Sequence, residues 1–145
     1  MSTILLATEK PFAKDAVEKI SKVITNAGHT VQLLENYTDK AQLCEAVKDA
    51  AAVIVRSDIV DADVINAGNQ LKIVVRAGAG YDNLDLNAAT AKNVVCMNTP
   101  GQNANAVAEC AFGMMLYMAR KQFSGSSGTE LRGKKLGIIG YGNIG

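Results

Sequence analysis

Lys72-Ile-Val-Val-Arg-Ala-Gly-Ala-Gly-Tyr-Asp-Asn83 is the stretch that decides the fold. Ile73, Val74 and Val75 form a short β-branched run with no polar residue alternating. That is the pattern of a parallel strand buried on both faces. The run passes directly into a polar, glycine-rich loop, and Asp85 then opens a helical pattern through Ala89. Strand, loop and helix in this order make one βα unit.

The same unit recurs on both sides. Apolar runs at Thr3–Thr8, Thr30–Leu34, Ala52–Val55, Lys72–Val75 and Asn93–Cys96 begin about 20–27 residues apart, the length of a short βα unit. Between the first two, Phe12, Ala16, Val17, Ile20, Val23, Ile24 and Ala27 keep helical spacing, and Gly28 sits where a helix stops. Asp39 and Asp61 are candidate N-caps for the next two helices, the second closing near Gly68. The expected architecture is α/β: a doubly wound parallel sheet with helices on both faces.

The pattern changes after Asn98. Asn103 or Asn105 opens a helix through Lys121, about 29 Å long at the α-helical rise. It is apolar nearly all round (Val107, Ala108, Ala111, Phe112, Met114, Met115, Leu116, Met118), which predicts burial on more than one side. Phe123-Ser-Gly-Ser-Ser-Gly128 has the composition of a flexible linker. A sixth apolar run, Lys135–Ile139, reads as a strand.

Composition narrows the function. The 145 residues carry a net charge of +1, which leaves no electrostatic footprint for nucleic acid or an anionic membrane. The longest apolar stretch, Cys110–Ala119, is too short to span a bilayer. The N-terminus lacks the basic start of a signal peptide. Cys44, Cys96 and Cys110 are odd in number and widely spaced, which excludes a disulfide scaffold and a Cys-based zinc site; a reducing cytosol is the simplest setting. The one histidine, His29, lies in a helix-to-strand turn at the amino edge of the strands, so neither a His-rich metal site nor a catalytic histidine is expected there.

Two kinds of feature carry chemistry. Gly140-Tyr-Gly142-Asn-Ile-Gly145 is G-x-G-x-x-G directly after an apolar run, the context in which such glycines admit a pyrophosphate to a helix N-terminus. A plain glycine-rich turn is the alternative. Three polar loops also fall at carboxyl ends of strands, where doubly wound sheets bind ligands: Arg56-Ser57-Asp58, Arg76 to Asn83, and Asn98 to Asn103. Arg56 and Arg76 suit a carboxylate or phosphate. Gly78 and Gly80 leave backbone N–H groups open to an anion. Together they suggest a small acid with two anionic ends; solvated strand-end charges are the alternative.

The motifs Val55-Arg-Ser57, Val60-Asp-Ala-Asp-Val-Ile65, Leu71 to Leu86, Met97-Asn-Thr-Pro100, Ala106-Val-Ala-Glu109, Gly128-Thr-Glu-Leu131 and Gly133 to Gly145, in this order, resemble the D-isomer-specific 2-hydroxyacid dehydrogenase family over nearly the whole chain. The resemblance implies a flavodoxin-like substrate lobe over residues 1–98. The first helix and strand of an incomplete NAD-binding Rossmann lobe would follow over 99–145. It implies that Arg56, Ser57, Arg76, Ala77, Gly78, Ala79 and Asn103 hold a small anionic 2-hydroxy or 2-oxo acid, 3-phosphoglycerate first among them. It also implies that Ala79, Gly140, Gly142, Asn143, Ile144 and Gly145 meet NAD. The apolar faces of the long helix and the apolar run Leu136–Ile139 predict a homodimer contact through residues 99–145, and the cysteine and histidine counts predict no metal. The family's catalytic Arg, Glu and His fall beyond residue 145, so the 145-residue chain alone is expected to be inactive. Relative to many family members, the segment between the long helix and Gly128 is short. A non-catalytic acid-binding module, or a dehydrogenase for glycerate or hydroxypyruvate, are the competing readings.

Overall fold

The computed structural model describes residues 1–145. Contacts divide them into two units, Met1–Thr99 and Pro100–Gly145.

The first unit alternates strand and helix: β1 (Thr3–Thr8), α1 (Lys14–Asn26), β2 (Thr30–Glu35), α2 (Lys40–Val47), β3 (Ala50–Val55), α3 (Ala62–Ala67), β4 (Ile73–Arg76), α4 (Leu86–Ala91) and β5 (Val95–Met97). All pairings are parallel, in the order β2-β1-β3-β4-β5, the flavodoxin-like order. β1 thus lies between β2 and β3, and the crevice beyond the carboxyl ends of β1 and β3 is the switch point of the topology.

The aspartates act as read. Asp39 accepts the Ala41 N–H while Gln42 reaches back to the Asp39 N–H. Asp61 accepts from Asp63 and Val64, and Asp85 from Ala88. Each side chain satisfies donors that a helix start leaves unpaired. Gly28, at φ 81°, follows α1 and lets the chain turn into β2. At the opposite end of α3, the ammonium of Lys92 donates to the carbonyls of Ile65, Asn66 and Gly68 at 2.9, 2.9 and 3.0 Å.

The core joins Leu5, Val53 and Val74 of the sheet to Leu43, Val47, Val64 and Ile65 of the helices. α2 packs on α3, and α3 on α4, so one face is well covered. The other face departs from expectation. Ile73, Val95 and Met97 are exposed there, because α1 lies beside β2, while α4, the helix that contacts β5, packs with α3 on the covered face.

The second unit holds α5 (Ala104–Ala119) and a tight turn at Lys121–Phe123. The predicted linker therefore begins with structure: Lys121, Gln122 and Phe123 all adopt left-handed backbone angles, and the Phe123 ring lies 5.7 Å from that of Tyr117. Two expectations fail in this unit. α5 is not buried on several sides; Phe112, Met114, Leu116 and Met118 are exposed, and Ala104 is its buried residue. The run Lys135–Ile139 forms no strand. A strand is held by a ladder to a neighbour, and the five strands that pair all belong to the first unit.

Candidate functional site

The loops at the carboxyl ends of β1, β3, β4 and β5 are tied into one edge. Ala77 donates its N–H to the Val55 carbonyl at 2.8 Å, continuing the β3–β4 ladder into the glycine loop. Val60 and Leu84 form a further parallel bridge between the segments after β3 and β4. Thr99 donates to the Gly78 carbonyl at 2.8 Å, and Asn98 Nδ2 to the Ala79 carbonyl at 2.7 Å, so the segment after β5 holds the glycine loop from its other side.

Arg56 and Ser57 lie exposed just past β3. Arg76 ends β4 opposite Val55, so the two arginines project from neighbouring strand ends. Arg76 is partly buried, and its Nε has no acceptor although it is shielded from solvent. Its guanidinium lies over Gly78, in the space that a Cβ at that position would take. A buried donor without a partner is costly, and a ligand oxygen would satisfy it.

The glycine loop differs from expectation in one respect. The Gly78 N–H is not open, because it donates to the Arg76 carbonyl at 2.8 Å. The N–H groups of Ala79 and Gly80 meet no acceptor in the chain, and they are the ones open to an anion. Ala77, Gly78 and Ala79 thus share the loop with Arg76, with Arg56 and Ser57 on the adjacent strand end. A shallow cavity lies beside it, lined by Tyr81, Leu84, Leu86, Cys96, Met97 and Asn98. Burial pushes the Cys96 thiol above its ordinary pKa, which keeps it neutral.

Asp58, which the sequence marks only as part of the loop after β3, is buried. It is 4% exposed. Its Oδ1 accepts the Glu9 N–H at 2.6 Å and the Tyr37 hydroxyl at 2.8 Å, while Oδ2 accepts the Arg56 N–H at 3.1 Å. Its carbonyl accepts Asn83 Nδ2 at 2.7 Å. Burial, then the Asp58 hydrogen bond, pushes the Tyr37 phenol well above its usual range. His29 lies in the α1–β2 turn, at the amino edge and away from these loops.

Asn103 belongs to the second unit, where it precedes α5 without a side-chain capping bond. In the same unit Gly140 takes φ 88° to turn the chain. A Cβ on Gly145 would meet the Gly140 carbonyl at 2.6 Å, so residues 140–145 close into a compact turn. Gly140 and Gly142 face open space, and no N–H of residues 140–145 is bonded to a backbone carbonyl. Asn143 and Ile144 lie within that turn. Open glycines with free amides fit a pyrophosphate.

The family model described as the D-isomer specific 2-hydroxyacid dehydrogenase catalytic domain matches residues 4–139. Among solved structures, the chain is similar to the NAD+-bound 3-phosphoglycerate dehydrogenase of Entamoeba histolytica. That match has 50% identity and a TM-score of 0.93, and covers 99% of this chain and 47% of that one. It is 43% identical to the D-3-phosphoglycerate dehydrogenase of Rattus norvegicus over 86% of this chain and 26% of that protein. It is 34% identical to the hydroxypyruvate reductase of Thermotoga maritima over 97% of this chain and 50% of that protein. The latter alignment runs over 154 positions, so that relative carries positions with no counterpart here. The chain spans half or less of the length of these relatives. With the flavodoxin-like sheet, the strand-end arginines and a match over most of its length, the chain belongs to the D-isomer specific 2-hydroxyacid dehydrogenase family.

Proposed function

We propose that the protein oxidises the C2 hydroxyl of a small acid, 3-phosphoglycerate, to the 2-oxo acid with NAD, the first step of serine biosynthesis, in the cytoplasm. The observation that carries the reading is the pairing of Arg56 and Arg76 on neighbouring strand ends around the open amides of Ala79 and Gly80. An acid with a carboxylate at one end and a phosphate at the other matches two guanidinium groups and a pair of amides. The similarity to the phosphoglycerate dehydrogenases supports that choice over a non-catalytic module.

In this reading Arg56 and Ser57 take one anionic end, and Arg76 with the open amides of Ala79 and Gly80 takes the other, while Ala77 and Gly78, whose N–H groups are already bonded, shape the loop. Satisfying the buried Nε of Arg76 adds a charge-assisted bond that the free chain lacks. Asn103 is assigned to the substrate by the family resemblance. Gly140, Gly142, Asn143, Ile144 and Gly145, with Ala79, hold the dinucleotide, which supplies the hydride acceptor when bound. His29 lies at the wrong edge of the sheet to exchange the hydroxyl proton. The family resemblance puts the acid–base group outside residues 1–145, and these residues alone are expected to show no NAD-linked turnover. The exposed apolar side of α5 is the proposed contact of a homodimer through residues 99–145.

The test is steady-state kinetics on the protein expressed from its whole reading frame, with 3-phosphoglycerate, glycerate and hydroxypyruvate in parallel. Arg56→Ala and Arg76→Ala should each raise KM for the phosphorylated acid by about ten- to a hundred-fold, the worth of a charge-assisted hydrogen bond. Faster turnover of hydroxypyruvate or glycerate would favour the competing substrates. NAD-linked turnover by residues 1–145 alone would overturn the placement of the chemistry.

A further inference from the structure

We propose that Asp58 is a positioning residue for Arg56: its carboxylate fixes the backbone from which that arginine reaches the acid group of the substrate. The proposal rests on the role given to Arg56 above.

Three observations carry it. First, a carboxylate at 4% exposure has no cationic partner within the chain; the ion pairs join Lys19 with Asp15, Lys40 with Asp61 and Asp63, and Lys48 with Glu45. Burying an unpaired charge is costly, so a group kept there must do something that a neutral residue cannot. Second, the donors around it require acceptors on both sides. Oδ1 takes the Glu9 N–H and the Tyr37 hydroxyl, and Oδ2 takes the Arg56 N–H. An asparagine could keep either the Glu9 bond or the Arg56 bond, but not both. Only a carboxylate accepts from the Glu9 and Arg56 N–H groups at once, since an amide in either orientation turns its NH2 toward one of them. Third, the location is the switch point. Asp58 bonds the residue after β1 to the residue after β3, at the crevice where this strand order ordinarily receives a ligand. Its carbonyl also takes Asn83 from the far end of the glycine loop. Arg56 itself is exposed, and its hydrogen bond within the chain is made by its backbone. The bond to Asp58 therefore fixes the point on the backbone from which the side chain leaves.

The experiment is a double-mutant cycle on the protein from its whole reading frame, with 3-phosphoglycerate varied at saturating NAD. Asp58→Asn should raise KM about tenfold and leave kcat within about twofold, the signature of lost substrate binding. In an Arg56→Ala background the same change should have no further effect on KM, because Asp58 acts through Arg56. Lys92→Met is the stability control: it removes three hydrogen bonds at the other edge of the sheet and should lower Tm without moving KM. Should Asp58→Asn not fold, Asp58→Glu keeps the charge but shifts the carboxylate by one methylene. It should raise KM less and be equally silent in the Arg56→Ala background. Additive KM effects, or a lowered Tm with unchanged KM as in Lys92→Met, overturn the proposal. Absence of any 2-hydroxy acid turnover in the unmutated protein overturns the functional reading instead. The positioning claim is then decided by amide exchange at Arg56. Acceleration in Asp58→Asn but not in Lys92→Met supports it, and equal exchange in all three proteins overturns it.

Discussion

Ile73-Val-Val-Arg76 and Leu136-Gly-Ile-Ile139 are near twins as sequence. Both are short, apolar and followed by a glycine-rich turn. The first is β4, paired with β3 on one side and β5 on the other. The second is unpaired chain with Ile139 fully exposed. The difference lies in the neighbours rather than in the residues. A strand cannot satisfy its own backbone, whereas a helix can. That is also why α5 stands in the same unit as a complete helix while leaving its apolar side bare. An apolar run specifies a strand only where the chain also brings partners to it.

Amide hydrogen exchange on the 145-residue chain should give the largest contrast. Val53 and Val74 should exchange slower than Ile138 and Ile139 by a factor of roughly 10³ or more, since the first pair opens only with the sheet. Comparable protection would mean that residues 136–139 find a partner, and the comparison would collapse. Next in size is side-chain truncation. Leu5→Ala, at a fully buried position of β1, should cost about 3 kcal/mol in urea unfolding, whereas Ile139→Ala should stay within about 0.5 kcal/mol. A similar cost at both sites would show that the second unit has a core of its own. Capping gives a smaller contrast. Asp85→Ala should cost about 1 kcal/mol, because its carboxylate holds the Ala88 N–H. Asn103→Ala, which loses no capping bond, should cost close to nothing.

The smallest effect is one of pH. The Tyr37 phenol is raised above its ordinary 10.0, first by burial and then by Asp58. Above that pH the unfolded chain releases a proton that the folded chain retains. The contribution of Tyr37 is therefore complete below pH 10.0 and is lost as pH rises. Tyr37→Phe should flatten the alkaline limb of a Tm–pH profile while leaving neutral pH dependence unchanged. An identical alkaline limb in the variant would remove Tyr37 from the account.

Much of the first unit is legible because its signals are local. The caps at Asp39, Asp61 and Asp85 need only the next two or three residues, and the β-branched runs announce themselves. The arginines at strand ends follow once the strands are placed. Asp58 is not legible in the same way. Its partners Tyr37 and Glu9 stand 21 and 49 positions away, so nothing beside it announces burial. Lys92 is similar: its three acceptors lie 24 to 27 positions earlier. The run at 135–139 misleads for the opposite reason, since its local signal is good and its partners are absent.

The contact between Arg76 and Gly78 sets an order on how this loop can change over time. The guanidinium occupies the volume that any side chain at position 78 would need. Alanine at 78 would therefore evict the arginine while it is present, but would meet an emptied site once Arg76 had given way to a shorter residue. One sequence of steps passes through a form with a displaced arginine, and the other through a form with no arginine at all. A side chain at position 78 and the present resting place of the Arg76 guanidinium exclude one another, so the two positions change together and not independently.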